Sequence, residues 1–143
     1  MKDDFKINLH SLGDTEKLAK RLANFVKPSV FITLKGDLGT GKTTLVRYLI
    51  NSISKKKIKV TSPTFSLVNT YDLGKIKIWH YDLFRLRNKR EIFELDFELA
   101  LKDCVIIEWP ELIKDFFPKK RIDITITEDK NYLRTAVVKI MVN

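Results

Sequence analysis

Gly36-Asp37-Leu38-Gly39-Thr40-Gly41-Lys42-Thr43 is the stretch on which the fold turns. It satisfies the G-x-x-x-x-G-K-[ST] pattern of a phosphate-binding loop. Glycines let the backbone take positive φ and approach phosphates closely, so that a nest of N–H donors faces an anion. The N-terminus of a following helix, here opened by Thr43 and Thr44, adds to that attraction. Lys42 has the reach for β- and γ-phosphates, and the Thr43 hydroxyl suits Mg²⁺. At an average glycine usage of about 7%, the fixed positions arise by chance in on the order of 0.5% of chains this long.

The flanks agree with the loop. Val30 to Leu34 is nearly all apolar, as expected of a strand covered on both faces. On the other side Leu45, Val46, Leu49, Ile50 and Ile53 recur at helical spacing. Farther out, Phe5, Ile7 and Leu9 alternate with polar residues as a first strand. Asp14 is expected to cap a helix carrying Leu18, Leu22, Phe25 and Val26, and Pro28 to end it. Two strands are expected near Phe65–Tyr71 and Lys75–Asp82, joined by a turn at Asp72-Leu73-Gly74, and a helical region from Lys89 to Leu101. Val105–Ile107 reads as another buried strand, and Pro110 as the opening of a short helix. Ile122, Ile124 and Ile126 alternate with polar residues, and Leu133 to Val142 returns, which makes a C-terminal hairpin. The expectation is an α/β chain forming one domain over residues 1–143, a three-layer P-loop sandwich with a mixed parallel and antiparallel sheet.

A nucleotide loop of this kind needs a carboxylate at the end of a neighbouring strand to hold the metal or its water. Glu108 ends the apolar run Cys104-Val105-Ile106-Ile107. Asp82 ends a run in which Ile76, Ile78, His80 and Asp82 share one face at period two. Glu108 is assigned to the metal and Asp82 to the metal's water shell or the attacking water, although the sequence also allows the roles to be swapped. His80 is read as orienting Asp82 or filling the core. Arg85 suits a phosphate, a partner or a salt bridge, and Trp109 a core or partner contact ahead of nucleotide stacking.

Composition narrows the setting. The 143 residues are 44% hydrophobic and 31% charged, a globular balance. No apolar run approaches the roughly 20 residues of a membrane span. The opening Met1-Lys2-Asp3-Asp4-Phe5 lacks the apolar core of a secretory leader. With Cys104 as the only cysteine, no intrachain disulfide or thiolate cluster can form; a cytoplasmic protein is expected. The net charge of +9 favours polyanionic partners, although Lys55, Lys56, Lys57 and Lys59 also suit the end of a helix.

Four segments in order carry a resemblance: Gly36 to Leu45, Ser62-Pro63-Thr64-Phe65-Ser66-Leu67-Val68, His80-Tyr81-Asp82-Leu83-Phe84-Arg85-Leu86, and Ile107-Glu108-Trp109-Pro110-Glu111. Over nearly the whole chain they resemble the TsaE (YjeE) family. The resemblance implies binding and hydrolysis of ATP with Mg²⁺, weak in isolation. It also implies work beside the TsaB–TsaD pair, which transfers a threonylcarbamoyl group to adenosine 37 of tRNAs reading ANN codons. It implies that Thr64 lies in a switch-like loop as a γ-phosphate or metal-shell contact, and that Thr15 and Arg134 lie on the adenine side. The chain departs from the family pattern at Thr40, usually alanine, Ser66, often threonine, and Phe84, usually tyrosine.

Three other readings compete. A nucleoside or small-molecule kinase shares the loop but carries an arginine-rich lid, for which Arg85, Arg87 and Arg90 are a weak counterpart. A GTPase would need N-K-x-D, whereas Asn88-Lys89-Arg90-Glu91 ends in glutamate and reads as a helix start. A non-catalytic RNA-binding module fits the charge but lacks a basic strand with exposed aromatics.

Overall fold

A computed structural model describes residues 2–141. Seven strands form one sheet in the order β1-β7-β6-β2-β5-β4-β3. They are β1 (Lys2–Asn8), β2 (Phe31–Lys35), β3 (Val68–Asp72), β4 (Lys77–Asp82), β5 (Cys104–Glu108), β6 (Arg121–Glu128) and β7 (Arg134–Met141). The four central strands β6, β2, β5 and β4 run parallel. Antiparallel strands close both sides: β7 and β1 beside β6, and β3 beside β4. The mixed sheet and the hairpin β6–β7 are as expected; Val142 lies outside the described residues.

Helices α1 (Leu12–Ala23) and α2 (Lys42–Ile53) cover one face. Leu18, Leu22, Leu45 and Leu49 pack there against Ile32, Leu34, Ile78, Ile106 and Ile124. The other face is covered by a 3₁₀ segment Lys89–Leu95, the short α3 (Phe97–Ala100) and a second 3₁₀ segment Pro110–Phe116. Ile92, Phe97 and Ile113 pack there on Phe31, Tyr81, Val105 and Ile107. With cover on both faces, β5 is buried at every position, which is why it is apolar from Cys104 to Ile107, ahead of the terminal Glu108. Burial pushes the Cys104 thiol up to about 12, so it behaves as a small apolar side chain. Among the described residues no helix is long and apolar enough to cross a membrane.

Several boundaries differ from expectation for local reasons. Ser11, not Asp14, caps α1: its hydroxyl accepts from the Asp14 N–H at 3.1 Å, while the Asp14 carboxylate accepts from the His10 N–H at 3.0 Å. Pro28 does not end that helix. The chain tightens to i→i−3 bonds at Phe25 and Val26 and leaves the helix after Ala23. Strand β3 starts three residues later than Phe65 because the Leu67 N–H turns back to the Pro63 carbonyl at 2.6 Å, with Leu67 at φ 71°. The region from Lys89 to Leu101 breaks in two at Asp96, φ 57°. Asn88 caps its first part: its side-chain oxygen accepts from the Arg90 N–H at 2.9 Å and the Glu91 carboxylate accepts from the Asn88 N–H at 3.0 Å, a helix start that no guanine-recognition strand precedes.

Candidate functional site

The parallel strands deliver their carboxyl ends to one edge, the usual place for a ligand in such a sheet. There β2 runs out at Lys35 and the glycine loop begins. Gly36 has no room for a side chain: a Cβ would stand 2.7 Å from the Thr40 hydroxyl and 2.9 Å from the Ile126 carbonyl. Gly41, the residue before α2, sits at φ 95°, a conformation costly for any residue with a Cβ. Thr40 adds a local tie, because its hydroxyl donates to the Asp37 carbonyl at 2.9 Å. The departure from alanine therefore braces the loop.

Lys42 is 5% exposed. Its ammonium donates to the Gly36 carbonyl and, at 3.0 Å, to the Asp37 carbonyl, and lies 4.2 Å from the centre of the Trp109 ring. Desolvation lowers its pKa, opposed by the negative charges of Glu108, Asp82, Asp37 and Glu111 in that order. A cation kept out of water among carboxylates is poised for an incoming anion.

The two carboxylates are cross-strand neighbours, Asp82 of β4 opposite Glu108 of β5, and both are buried at 3% exposure. They are held differently. Glu108 accepts from the Thr43 hydroxyl at 2.9 Å and meets His80 Nε2 at 2.6 Å through the same oxygen, Oε2. Because a carboxylate only accepts, the His80 proton is assigned to Nε2; its Nδ1 is buried with no partner among the described residues. Asp82 accepts from the Thr64 hydroxyl and from the Phe84 N–H, each at 2.9 Å. His80 thus orients Glu108 and not Asp82, a correction to the sequence reading. The period of two puts His80 and Asp82 on one face but says nothing about which neighbour in β5 each faces.

A cleft of about 330 Å³ opens between these groups, lined by Gly39, Gly41, Lys42, Thr43, Thr44, Leu38, Ser62, Thr64, Asp82, Glu108, Trp109 and Arg134. Arg134 reaches it because β7 starts where β6 ends, opposite Glu128. Its guanidinium donates to the Gly39 carbonyl at 2.8 Å and to Glu128 at 3.3 Å. Thr15 does not line the cleft; its hydroxyl faces the Ser11 carbonyl at 3.4 Å in the first turn of α1. Two lining residues were not singled out as site residues in the sequence. The Ser62 hydroxyl pairs with Thr64 at 2.7 Å. Trp109, at φ 55°, lies against Phe84 with ring centres 4.7 Å apart. Its position just after Glu108, at a strand end, was the available signal. Arg85 makes no ion pair among the described residues and stacks instead over Phe65, 4.8 Å from the ring centre.

Comparison with known proteins adds an independent line. Residues 9–136 match the model of the family described as threonylcarbamoyl adenosine biosynthesis protein TsaE. A Rickettsia conorii protein named tRNA threonylcarbamoyladenosine biosynthesis protein TsaE is 42% identical over 131 residues, 91% of this chain and 75% of its own length. The protein of that name from Bacillus subtilis is 34% identical over 113 residues, 79% of this chain and 71% of its own. The crystal structure of YdiB from Bacillus subtilis superposes with a TM-score of 0.74 at 26% identity, covering 99% of this chain and 88% of that one. A family match reaching from the end of β1 into β7, over the same glycine loop and both strand-end carboxylates, leaves one assignment: the chain belongs to the TsaE family, which serves the biosynthesis of threonylcarbamoyladenosine in tRNA.

Proposed function

We propose that the protein binds and hydrolyses ATP with Mg²⁺ as the cytoplasmic accessory ATPase of the TsaB–TsaD machinery, which makes N6-threonylcarbamoyladenosine at position 37 of tRNAs reading ANN codons. The observation that carries the chemistry is the convergence of Lys42, Thr43, Asp82 and Glu108 around one cleft at the strand ends. Among the described residues no three His, Cys, Asp or Glu side chains cluster as a self-sufficient metal cage. That suits Mg²⁺ in a nucleotide site, which takes one or two carboxylates and completes its shell with water and phosphate oxygens.

In this reading the loop N–H groups of Gly39, Gly41 and Thr43 cradle phosphate, with Gly36, Asp37, Leu38 and Thr40 shaping the loop. Lys42 neutralises charge on the terminal phosphates. Thr43 and Glu108 would hold the metal, which would supply Lewis-acid polarisation of the phosphoryl group. Asp82, backed by Thr64, positions a water, and Thr64 senses the γ-phosphate. Arg134 and Thr44 border the rest of the nucleotide. Thr15 lies outside the cleft lining and remains an adenine-side contact by family resemblance alone. Arg85 packs over Phe65 and is not among the residues lining the cleft, which favours water over an alcohol acceptor.

The test is ATP hydrolysis with and without a TsaB–TsaD pair and tRNA, with Lys42→Ala as blank. Stimulation by the pair, lost in the variant, is the expected outcome. Hydrolysis indifferent to the pair removes the partner assignment, and equal rates in wild type and Lys42→Ala remove the site.

A further inference from the structure

Outside the nucleotide cleft, the strongest unused feature is a basic groove along α2 and the chain leaving it. It comprises two adjoining concavities of about 500 and 690 Å³ that share Arg47, Asn51 and Lys57. Arg47, Lys55, Lys56, Lys57 and Lys59 line it, all exposed. No acidic residue lines either part, and no Asp or Glu occurs anywhere from Leu38 to Tyr71. Among the described residues none of these five cations forms an ion pair.

The array is held in shape. Asn51 staples the lysine run to the helix, donating to the Ile58 carbonyl at 3.0 Å and accepting from the Ile58 N–H at 2.8 Å. Ser54 closes the turn within it, its hydroxyl donating to the Lys56 carbonyl at 2.6 Å. Beyond Lys59, Asn69 of β3 donates to the Thr61 carbonyl at 3.2 Å, and the next residue, Ser62, lines both this groove and the nucleotide cleft. A helix dipole explains cations in the last turn only. It does not explain a wall that continues, free of acidic residues, to Ser62.

We propose that this groove binds the phosphodiester backbone of RNA beside the nucleotide cleft. The choice of RNA over an acidic protein surface follows from the lining. Lysines with Arg47, Tyr48, Asn51, Ser54, Thr61 and Ser62 line it, all of them side-chain types that contact phosphates, and lysine, the residue in excess here, is depleted at protein interfaces. The identity of the RNA as tRNA rests on the function proposed above; the phosphate chemistry does not.

The experiment is fluorescence anisotropy with an unmodified tRNA transcript as probe. With five phosphate contacts, the log–log salt slope is expected near about −4, a roughly 10²- to 10³-fold loss of affinity from about 50 to 200 mM salt. Replacing Lys55, Lys56, Lys57 and Lys59 together with Gln brings the slope to about −1. Each single substitution, too mild to unfold the chain, lowers it by about one. Lys119→Gln with Lys120→Gln, at the opposite end of the parallel strands, leaves tRNA affinity unchanged. Four single variants that bind with the wild-type slope overturn the proposal, as does a wild type without salt-dependent binding. So does a quadruple variant that loses only its protein partners. A fluorescent ATP analogue reads the cleft separately: nucleotide binding without tRNA binding sinks the groove alone, and tRNA binding without nucleotide binding sinks the functional reading alone.

Discussion

Asp82 and Glu108 end neighbouring parallel strands in register, are equally buried, and are still held by different kinds of structure. Glu108 is gripped by rigid elements, the first turn of α2 through Thr43 and the middle of the sheet through His80. Asp82 is held by irregular chain, the Thr64 hydroxyl and the Phe84 N–H. On that chain Phe65 stands 83% exposed. The same functional group on adjacent strands is thus fixed in one case and tied to a loop in the other. Pre-organised groups suit a metal, and loop-borne groups suit a step that responds to a ligand or partner.

The largest effect expected is at the fixed carboxylate. Glu108→Ala lowers the rate of ATP hydrolysis by about 10³-fold, roughly 4 kcal/mol of barrier, and Asp82→Asn by about 10²-fold. Single-turnover rates with separately measured nucleotide affinity check this. Equal losses at both sites would erase the distinction drawn between them.

His80 sharpens the comparison. His80→Leu removes the donor to Glu108 and lowers turnover by about 10-fold with a raised Mg²⁺ requirement, as for other groups that orient a metal-binding side chain. His80→Gln, which offers an N–H at similar reach, restores part of it. Thr64→Val acts through Asp82 and leaves the Mg²⁺ requirement alone. Titrating activity against Mg²⁺ in the three variants distinguishes them, and a merely space-filling histidine would give no Mg²⁺ shift.

The smallest effect is electrostatic. Lys42 has a pKa lowered by burial, and Glu108 opposes that more than Asp82 does. Glu108→Gln therefore lowers it further than Asp82→Asn, readable by NMR titration of the lysine. The linkage has a definite sign. Between the lowered folded value and the ordinary 10.5, the unfolded chain binds more protons at Lys42, so this residue's contribution to stability rises with pH. Urea unfolding of wild type against Lys42→Met across that window checks the direction.

Legibility divides along the same line as the carboxylates. The glycine loop could be read at once because its pattern is contiguous, carried by eight neighbouring residues. The strand-end position of Asp82 and the C-terminal hairpin were legible from periodicity, and that of Glu108 and the buried centre from unbroken apolar runs. The start of β3 was not, because a turn closed by the Pro63 carbonyl competes with an apolar run that looks extended. Nor was the cap of α1, where Ser11 and Asp14 both offer good chemistry and only the path of the chain selects.

What the sequence determined by itself is therefore whatever depends on local chemistry or on repeat period: the phosphate loop, the alternation of faces, the hairpin, and the run without acidic residues that follows α2. The tertiary structure decided which distant groups meet. Glu108 finds Thr43 from 65 residues away and His80 from 28, and Arg134 reaches Gly39 across 95. Those pairings follow from strand order and register, which are set by how the whole sheet packs between its helices; residues so far apart in sequence carry no local signal of them.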